Sequence, residues 1–235
     1  MENRFIKSVS IDWSVIEDDS YLRRICSLKS IDKLFFKNDI TFFVGENGTG
    51  KSTLLEAIAV AYGFNPEGGT LNYRFSTYED VSELGNAIRI SKGYKRPKTS
   101  YFFRAESFFN VATKAEEYGS VYGSRGLHEQ SHGESFLSFF QSFDGEGIFI
   151  MDEPEAALSP QRQLTLLIQI VKMVKNGAQF IIATHSPILL GIPNANILSF
   201  DDGQIHSCSY EETESYQVMK LFINSRESLI NQLLK

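Results

Sequence analysis

The sequence predicts an α/β fold built in layers around apolar strands. Three observations carry this expectation. The short runs "DITFFVG", "GIFIMDE" and "AQFIIATH" are rich in β-formers and read as buried strands. Helix-forming stretches alternate with them, as layered α/β folds require. The chain has 235 residues, 42% of them hydrophobic, enough for one large core or a core plus a small lobe.

The elements follow in order. "DITFFVG" runs from Asp39 to Gly45, and the helix "KSTLLEAIAVAYG" follows at once and stops at Gly63. "GGTLNYRFSTY", "NAIRISKGY" and "KTSYFFRAE" read as shorter strands of antiparallel character, with "KGYKRPK" as a hairpin tip. The pattern from Ser107 to Glu129 is mixed and helical, and "GESFLSFFQSF" reads as a helix. "SPQRQLTLLIQIVKMVKNG" has a helix start at Ser159 and Pro160 and a stop at Gly177. Its predicted apolar face holds Leu164, Leu167, Ile168, Val171 and Val174. "ANILSF" and "QIHSCSY", joined through "DDG", read as a late hairpin. Two terminal helices follow in "EETESYQVMKLFINSRESLINQLLK". No Pro/Gly/Ser linker divides the chain, so residues 1–235 read as one folding unit.

Charge and cysteines narrow the class. A net charge of -6 excludes a uniformly basic nucleic-acid binder, though not a local basic patch. Cys26 and Cys208 have no metal-ligand spacing, and a reduced, cytoplasmic protein is the expectation. The N-terminal stretch lacks the apolar core of a signal peptide. No stretch reaches the ~18 apolar residues of a membrane-spanning helix.

"GENGTGKS", Gly45 to Ser52, matches G-x-x-x-x-G-K-[ST]. Gly45, Gly48 and Gly50 allow the loop to curl around a phosphate, and the N–H groups of Glu46, Asn47, Thr49 and Thr53 stand in the same cradle or at the helix start behind it. Lys51 reaches the β- and γ-phosphates, and the Ser52 hydroxyl is a ligand for Mg²⁺. A chance match in a chain of this length is on the order of one in a hundred, and this one stands between a strand and a helix, as the motif demands.

"IFIMDEPE" ends a second strand with Asp152 and Glu153. Ligands of open α/β sheets bind outside the carboxyl ends of strands. Asp152 there would hold magnesium, and Glu153 would orient or deprotonate an attacking water; taken alone, the pair reads equally as acids capping a strand. "IIATHSP" ends a third strand with His185, placed to bond a γ-phosphate or the attacking water, the alternative being an ordinary loop histidine.

Together, "GENGTGKST", "SHGES", "IFIMDEPEAALS" and "ATHSP" resemble the ordered motif set of ABC-type ATPases: Walker A, signature, Walker B with D-loop, and switch histidine. The wording is similar to compact members related to SMC and RecF heads, often described as AAA-family ATPases. The resemblance covers Ile40 to Pro187. It implies a P-loop NTPase fold with a mostly parallel core sheet, an antiparallel β-subdomain and a helical signature lobe near 105–145. It also implies ATP and Mg²⁺ as cofactors, and a dimer of two heads, alike or merely similar, that sandwich the nucleotide. Ser131, Gly133 and Glu134 would then contact ATP on the partner head; by themselves Ser131 and Ser135 equally suit a helix cap. Ala157, Leu158 and Ser159 would form the D-loop. His132 stands where the family has glycine, and its Q-loop glutamine has no counterpart after "KTSYFFRAES". Arg104 and Glu106 stand there, either as phosphate and magnesium contacts or as a strand-end ion pair. Tyr21 has the spacing of an adenine-stacking aromatic but also suits a plain surface position.

The resemblance leaves the output open. The interval from Ser52 to Ser131 is too short for the long coiled coil of SMC arms. One expectation is an ATP-switched dimer acting with nucleic acid or a partner protein, as in repair or defence. Arg89, Lys92, Lys95, Arg96, Lys98 and Arg104, interleaved with Tyr94 and Tyr101, are either a phosphate-contacting patch or a solvated charged turn. The competing classes are a transporter's nucleotide-binding subunit and a small-molecule kinase.

Overall fold

The computed structural model describes residues 4–71, 83–105, 107, 132–143, 145–156 and 158–235, with only the backbone of 132–135. Its strands are β1 (Ile6–Ile11), β2 (Leu34–Phe35), β3 (Ile40–Val44), β4 (Ile88–Lys92), β5 (Thr99–Arg104), β6 (Gly147–Asp152), β7 (Gln179–Ala183), β8 (Asn196–Ser199) and β9 (His206–Cys208). The helices are α1 (Cys26–Lys29), α2 (Lys51–Tyr62), α3 (Glu83–Ala87), α4 (His132–Gln141), α5 (Pro160–Lys175), α6 (Pro187–Leu190) and α7 (Glu214–Leu233).

Six strands form the main sheet in the order β5-β6-β7-β3-β8-β9. All neighbouring pairs are parallel except β8 with β9, which is the expected late hairpin. A second, antiparallel sheet has the order β2-β1-β4. The expected mostly parallel core and antiparallel subdomain are therefore both present. The N-terminal strands β1 and β2 were not legible as strands in the sequence.

The strands of the main sheet are continuous apolar runs because both faces are covered. Alternate residues serve opposite layers. Phe43, Ile148, Ile150, Ile181 and Ala183 face a core shared with α2 and the small sheet. Phe42, Val44, Phe149, Met151, Phe180 and Ile182 face a second core under α4 and α5. Phe136, Phe139 and Phe140 anchor α4 there; Phe140 stands edge-on to Phe149 at 5.8 Å and to Phe180 at 6.1 Å. Such edge contacts add to area burial by roughly 0.5–1.5 kcal/mol each.

Three local expectations are corrected. "KGYKRPK" is not a hairpin tip: β4 joins the small sheet and β5 the main one, so the segment is a crossover between sheets. β5 pairs parallel with β6, and among the described residues its antiparallel character is limited to the bridge between Phe102 and Gly69, at the start of "GGTLNYRFSTY". In α5 the fully buried residues are Leu166, Ile170 and Met173, flanked by Leu167, Val171 and Val174, whereas Leu164 and Ile168 are exposed. The apolar residues there run almost around the helix, so spacing alone did not select the buried face. The α5 ends match expectation: the Ser159 side chain accepts the Arg162 N–H, and Gly177 has a positive φ. The predicted terminal helices are one run broken at Ser225, with φ −140° and ψ 34°. The expected helical stretch Ser107 to Glu129 lies outside the described residues but for Ser107, and "GGTLNYRFSTY" is described only to Leu71.

One buried amide ties the two sheets together. Gln179 Oε1 accepts the Ile6 N–H at 2.9 Å, and Gln179 Nε2 donates to the Ile6 carbonyl at 2.8 Å. Replacing Gln179 by leucine strands both Ile6 groups in the core. A loss of about 2–4 kcal/mol is expected, measured by urea unfolding, while a change within experimental scatter would show that the amide pair does not join the sheets.

Candidate functional site

The parallel register brings three strand ends to one edge. Phe43 stands opposite Ala183. Asp152 stands opposite Ala183 on one side and Arg104 on the other. The loops that leave β3, β6 and β7 therefore meet.

The loop after β3 is built by glycine. Gly45, Gly48 and Gly50 have φ of 137°, 84° and 96°. Gly50 also has no room for a side chain, because a Cβ there would lie 2.8 Å from Ile25 Cγ2. The loop leads directly into the N-terminus of α2, whose first residue is Lys51. Lys51 is buried, and its Nζ donates to the Gly45 and Glu46 carbonyls, both at 2.7 Å. Burial pushes the Lys51 ammonium below its ordinary value, opposed by Asp201, Glu153 and Asp152. A desolvated ammonium facing three carboxylates suits a polyanion held with a divalent cation.

The Ser52 hydroxyl donates to Asp152 Oδ1 at 2.9 Å, across one hundred residues of sequence. Both are hard oxygen donors, and the pair fits Mg²⁺, which takes one or two protein ligands and completes its shell with phosphate and water. Among the described residues no larger cluster of acidic, His or Cys ligands is present.

Glu153 has φ 48°, unusual for a residue with a Cβ. Such conformations cost on the order of 1 kcal/mol and gather at functional sites. The backbone is held by the Glu153 N–H, which donates to the Ala183 carbonyl at 3.0 Å. The side chain is half exposed, 4.0 Å from His185 Nε2.

Two residues overlooked in the sequence hold this edge. Glu155 Oε1 accepts the His185 backbone N–H at 2.6 Å. Gln163 on α5 accepts the Ser186 hydroxyl at 2.7 Å and donates to the Leu158 carbonyl at 3.0 Å, joining the D-loop position to the histidine loop. A third, Asp201, lies in the "DDG" read as a hairpin turn. Its Oδ1 accepts the Glu46 N–H at 2.9 Å, and a Cβ on Gly45 would lie 2.8 Å from it. Strand-end position is the signal that could have found Asp201, since β8 pairs directly with β3.

Tyr21 is exposed and lines a cavity of about 760 Å³ with Arg24, Cys26, Glu46, Thr49 and Asp202. The cavity adjoins the phosphate loop through Glu46, Gly48 and Thr49. Arg104 ion-pairs with Glu56 at 2.7 Å, both largely covered, and donates to the Pro66 carbonyl at 3.2 Å. The partner in this pair is Glu56 of α2, a residue from a different element. Ser131, Glu106 and Ala157 lie outside the described residues. Gly133 and Glu134 fall in the first turn of α4. The basic cluster is partly paired: Arg89 with Asp12 at 3.3 Å, and both Lys95 and Lys98 with the one carboxylate of Glu146 at 3.4 and 2.7 Å.

Fold and site together define a nucleotide-binding P-loop domain. The comparisons extend this. A family model described as "AAA domain" matches residues 23–139, and one described as "AAA domain, putative AbiEii toxin, Type IV TA system" matches residues 135–191. The chain is 23% identical over 250 residues to the macrolide export ATP-binding/permease protein MacB of Campylobacter jejuni subsp. jejuni serotype O:23/36 (strain 81-176), covering 92% of this chain but 38% of that protein. It is 24% identical over 194 residues to the hemin import ATP-binding protein HmuV of Aliivibrio fischeri, covering 72% and 73%. The chain thus spans about two fifths of the length of the first of these relatives. Among solved structures it resembles cbiO1 from Clostridium perfringens (TM-score 0.49, 16% identity, 98% and 99% covered) and the SMC head domain from Thermotoga maritima (TM-score 0.44, 15% identity, 75% and 92% covered). The chain is thus similar to compact P-loop ATP-binding domains of the ABC and AAA type.

Burial pushes the Glu155 carboxyl above the ordinary carboxylate range; the Glu153 charge adds to this, and the His185 N–H opposes it. The folded protein therefore holds this proton more tightly than the unfolded chain does. Its contribution to stability is present below the ordinary value of 4.5 and is lost as pH rises through the folded value. Glu155→Gln keeps an oxygen for the His185 N–H and removes the titration. Urea unfolding should show the variant gaining on the wild type as pH rises above the ordinary value of 4.5; a gap independent of pH would contradict this.

Proposed function

We propose that the protein binds Mg-ATP in the Gly45–Thr53 loop and hydrolyses it as one head of an ATP-switched dimer. The observation that carries this reading is the Ser52–Asp152 hydrogen bond, which joins the phosphate loop to the acidic strand end. Bound Mg²⁺ would sit on these two residues and neutralise charge on the β- and γ-phosphates.

The chain's own residues divide the remaining work. Lys51 and the loop N–H groups orient the triphosphate. Tyr21 stands ready to stack the base. Glu153 takes the proton of the attacking water as its oxygen bonds to the γ-phosphorus and the bond to the leaving ADP oxygen breaks. His185, beside Glu153, holds that water or a γ-phosphate oxygen. Gly133 and Glu134, with Ser131, close over the partner's nucleotide. The Gln163 bonds give the D-loop and the histidine loop a shared support, so that head closure and hydrolysis respond together.

For the output we favour a partner protein in a repair or defence setting. The match to the family described as "putative AbiEii toxin, Type IV TA system" supports it, and the pairing of the basic residues with carboxylates weakens direct nucleic-acid contact. A transporter's nucleotide-binding subunit is the second reading, favoured by the names of the curated relatives. Among the described residues no helix is long and apolar enough to cross a membrane.

Glu153→Gln should lower the ATP hydrolysis rate by at least ~100-fold while nucleotide binding persists, and it should accumulate an ATP-bound dimer; hydrolysis at the wild-type rate would remove Glu153 from its role. Lys51→Ala should weaken ATP binding at least ~10-fold in calorimetry. Affinity capture with the trapped Glu153→Gln form separates the outputs: soluble proteins support the first reading, an integral membrane protein the second. DNA-stimulated turnover lost on reversing Lys95, Arg96 and Lys98 would restore nucleic acid as partner. Label transfer from ATP to a small molecule in place of phosphate release would make the protein a kinase.

A further inference from the structure

Two polar contacts run side by side between α2 and the main sheet. Ser52 and Glu56 stand one turn apart on the same face of α2. Asp152 and Arg104 are register partners in β6 and β5, so their backbones lie about 5 Å apart. Each follows by two residues a side chain in the core shared with α2, Ile150 and Phe102 respectively. Both therefore turn toward that helix. Ser52 donates to Asp152 Oδ1 at 2.9 Å, and Arg104 Nη1 donates to Glu56 Oε2 at 2.7 Å.

The charges make the second contact matter to the first. Arg104 is a permanent cation on the strand beside Asp152, with a side chain long enough to reach that carboxylate. A guanidinium on Asp152 would take the oxygens that a divalent cation takes, and it would set a positive charge against the metal. Glu56 draws the guanidinium to the helix instead, and the Pro66 carbonyl accepts the same Nη1 at 3.2 Å. The turn that carries Pro66 is itself fixed on β5. Gly69 and Phe102 exchange two backbone hydrogen bonds there, at 2.8 and 2.9 Å. The side chains of Arg104 and Glu56 are both largely covered, so salt screens their attraction little.

We propose that Glu56 is a positioning residue for the metal: it holds Arg104 away from Asp152 and so leaves that carboxylate and the Ser52 hydroxyl open to Mg²⁺. The inference rests on the Mg-ATP reading above and adds to it a residue that acts through Arg104, not on the nucleotide. It also gives the arginine at the end of β5 a place in the site without contact to phosphate.

Calorimetric binding of a non-hydrolysable ATP analogue to the full chain, once in EDTA and once in excess Mg²⁺, tests the proposal. In the wild type Mg²⁺ should tighten binding. Glu56→Gln keeps the size of the side chain and releases Arg104. It should weaken binding in Mg²⁺ by roughly 5-fold, with binding in EDTA not weakened. Arg104→Gln should keep the gain from Mg²⁺, and the double variant Glu56→Gln, Arg104→Gln should recover it. That recovery also excludes misfolding as the cause of the single loss. A pair that only braces the helix predicts a different pattern: either single change breaks it equally, and the double change recovers nothing. That pattern would overturn the proposal, and so would a full Mg²⁺ response in Glu56→Gln. Weaker binding of Arg104→Gln in EDTA would make the arginine a phosphate contact and overturn it as well. A wild type indifferent to Mg²⁺ would overturn the Mg-ATP reading and this inference with it. Where the wild type does respond, failure falls on Glu56 alone.

Discussion

The site depends on the parallel pairing of β3, β7 and β6. Hydrogen-bonding of β3 to β7 and of β7 to β6 places Val44, Ala183 and Asp152 at one edge of the sheet. Asp152, Glu153 and His185 leave the backbone within two residues of that edge. Lys51 and Ser52 come from the helix behind the first loop, Glu153 follows Asp152 directly, and His185 stands two residues beyond β7. The 2.9 Å bond from Ser52 to Asp152 is a product of this alignment. A slip of one residue in either pairing would turn Asp152 to the other face of the sheet and part it from the loop.

Holding that edge in place takes polar groups that do no chemistry themselves. Asp201 steadies the backbone of the phosphate loop from β8. Glu155 holds the histidine loop through the His185 backbone, and Gln163 joins that loop to the segment after Asp152. Each satisfies a backbone or hydroxyl group, and each links two loops from different strands. The strained backbone at Glu153 persists because the segments around it are tied down in this way. The histidine loop is thus bonded both to Glu155 and, through Gln163, to Leu158.

The aromatic layer beneath explains how the sheet tolerates such a loaded edge. Phe136, Phe139 and Phe140 of α4 seat against Phe149 and Phe180, so the helix carrying Gly133 and Glu134 at its start is fastened to the strands that carry Asp152 and His185. On the opposite face, α2 and the small sheet close over Phe43 and Ile181. The Gln179–Ile6 pair links the small sheet to the main one at the beginning of β7.

Local pattern by itself determined the three apolar strands, the glycine loop with Lys51 and Ser52, the acids Asp152 and Glu153, and His185. Each of these is written in contiguous residues, where strand propensity, glycine geometry and strand-end position leave their mark. The caps of α5 and the late hairpin were legible for the same reason. Tertiary structure alone decided which strands pair, that "KGYKRPK" crosses between sheets, and which side of α5 is buried. It alone brought Asp201 to Gly45, Gln163 to Ser186 and Arg104 to Glu56. These depend on contacts between segments tens to more than a hundred residues apart. No window of sequence contains both partners of such a contact, so their chemistry becomes visible only once the sheet has aligned them.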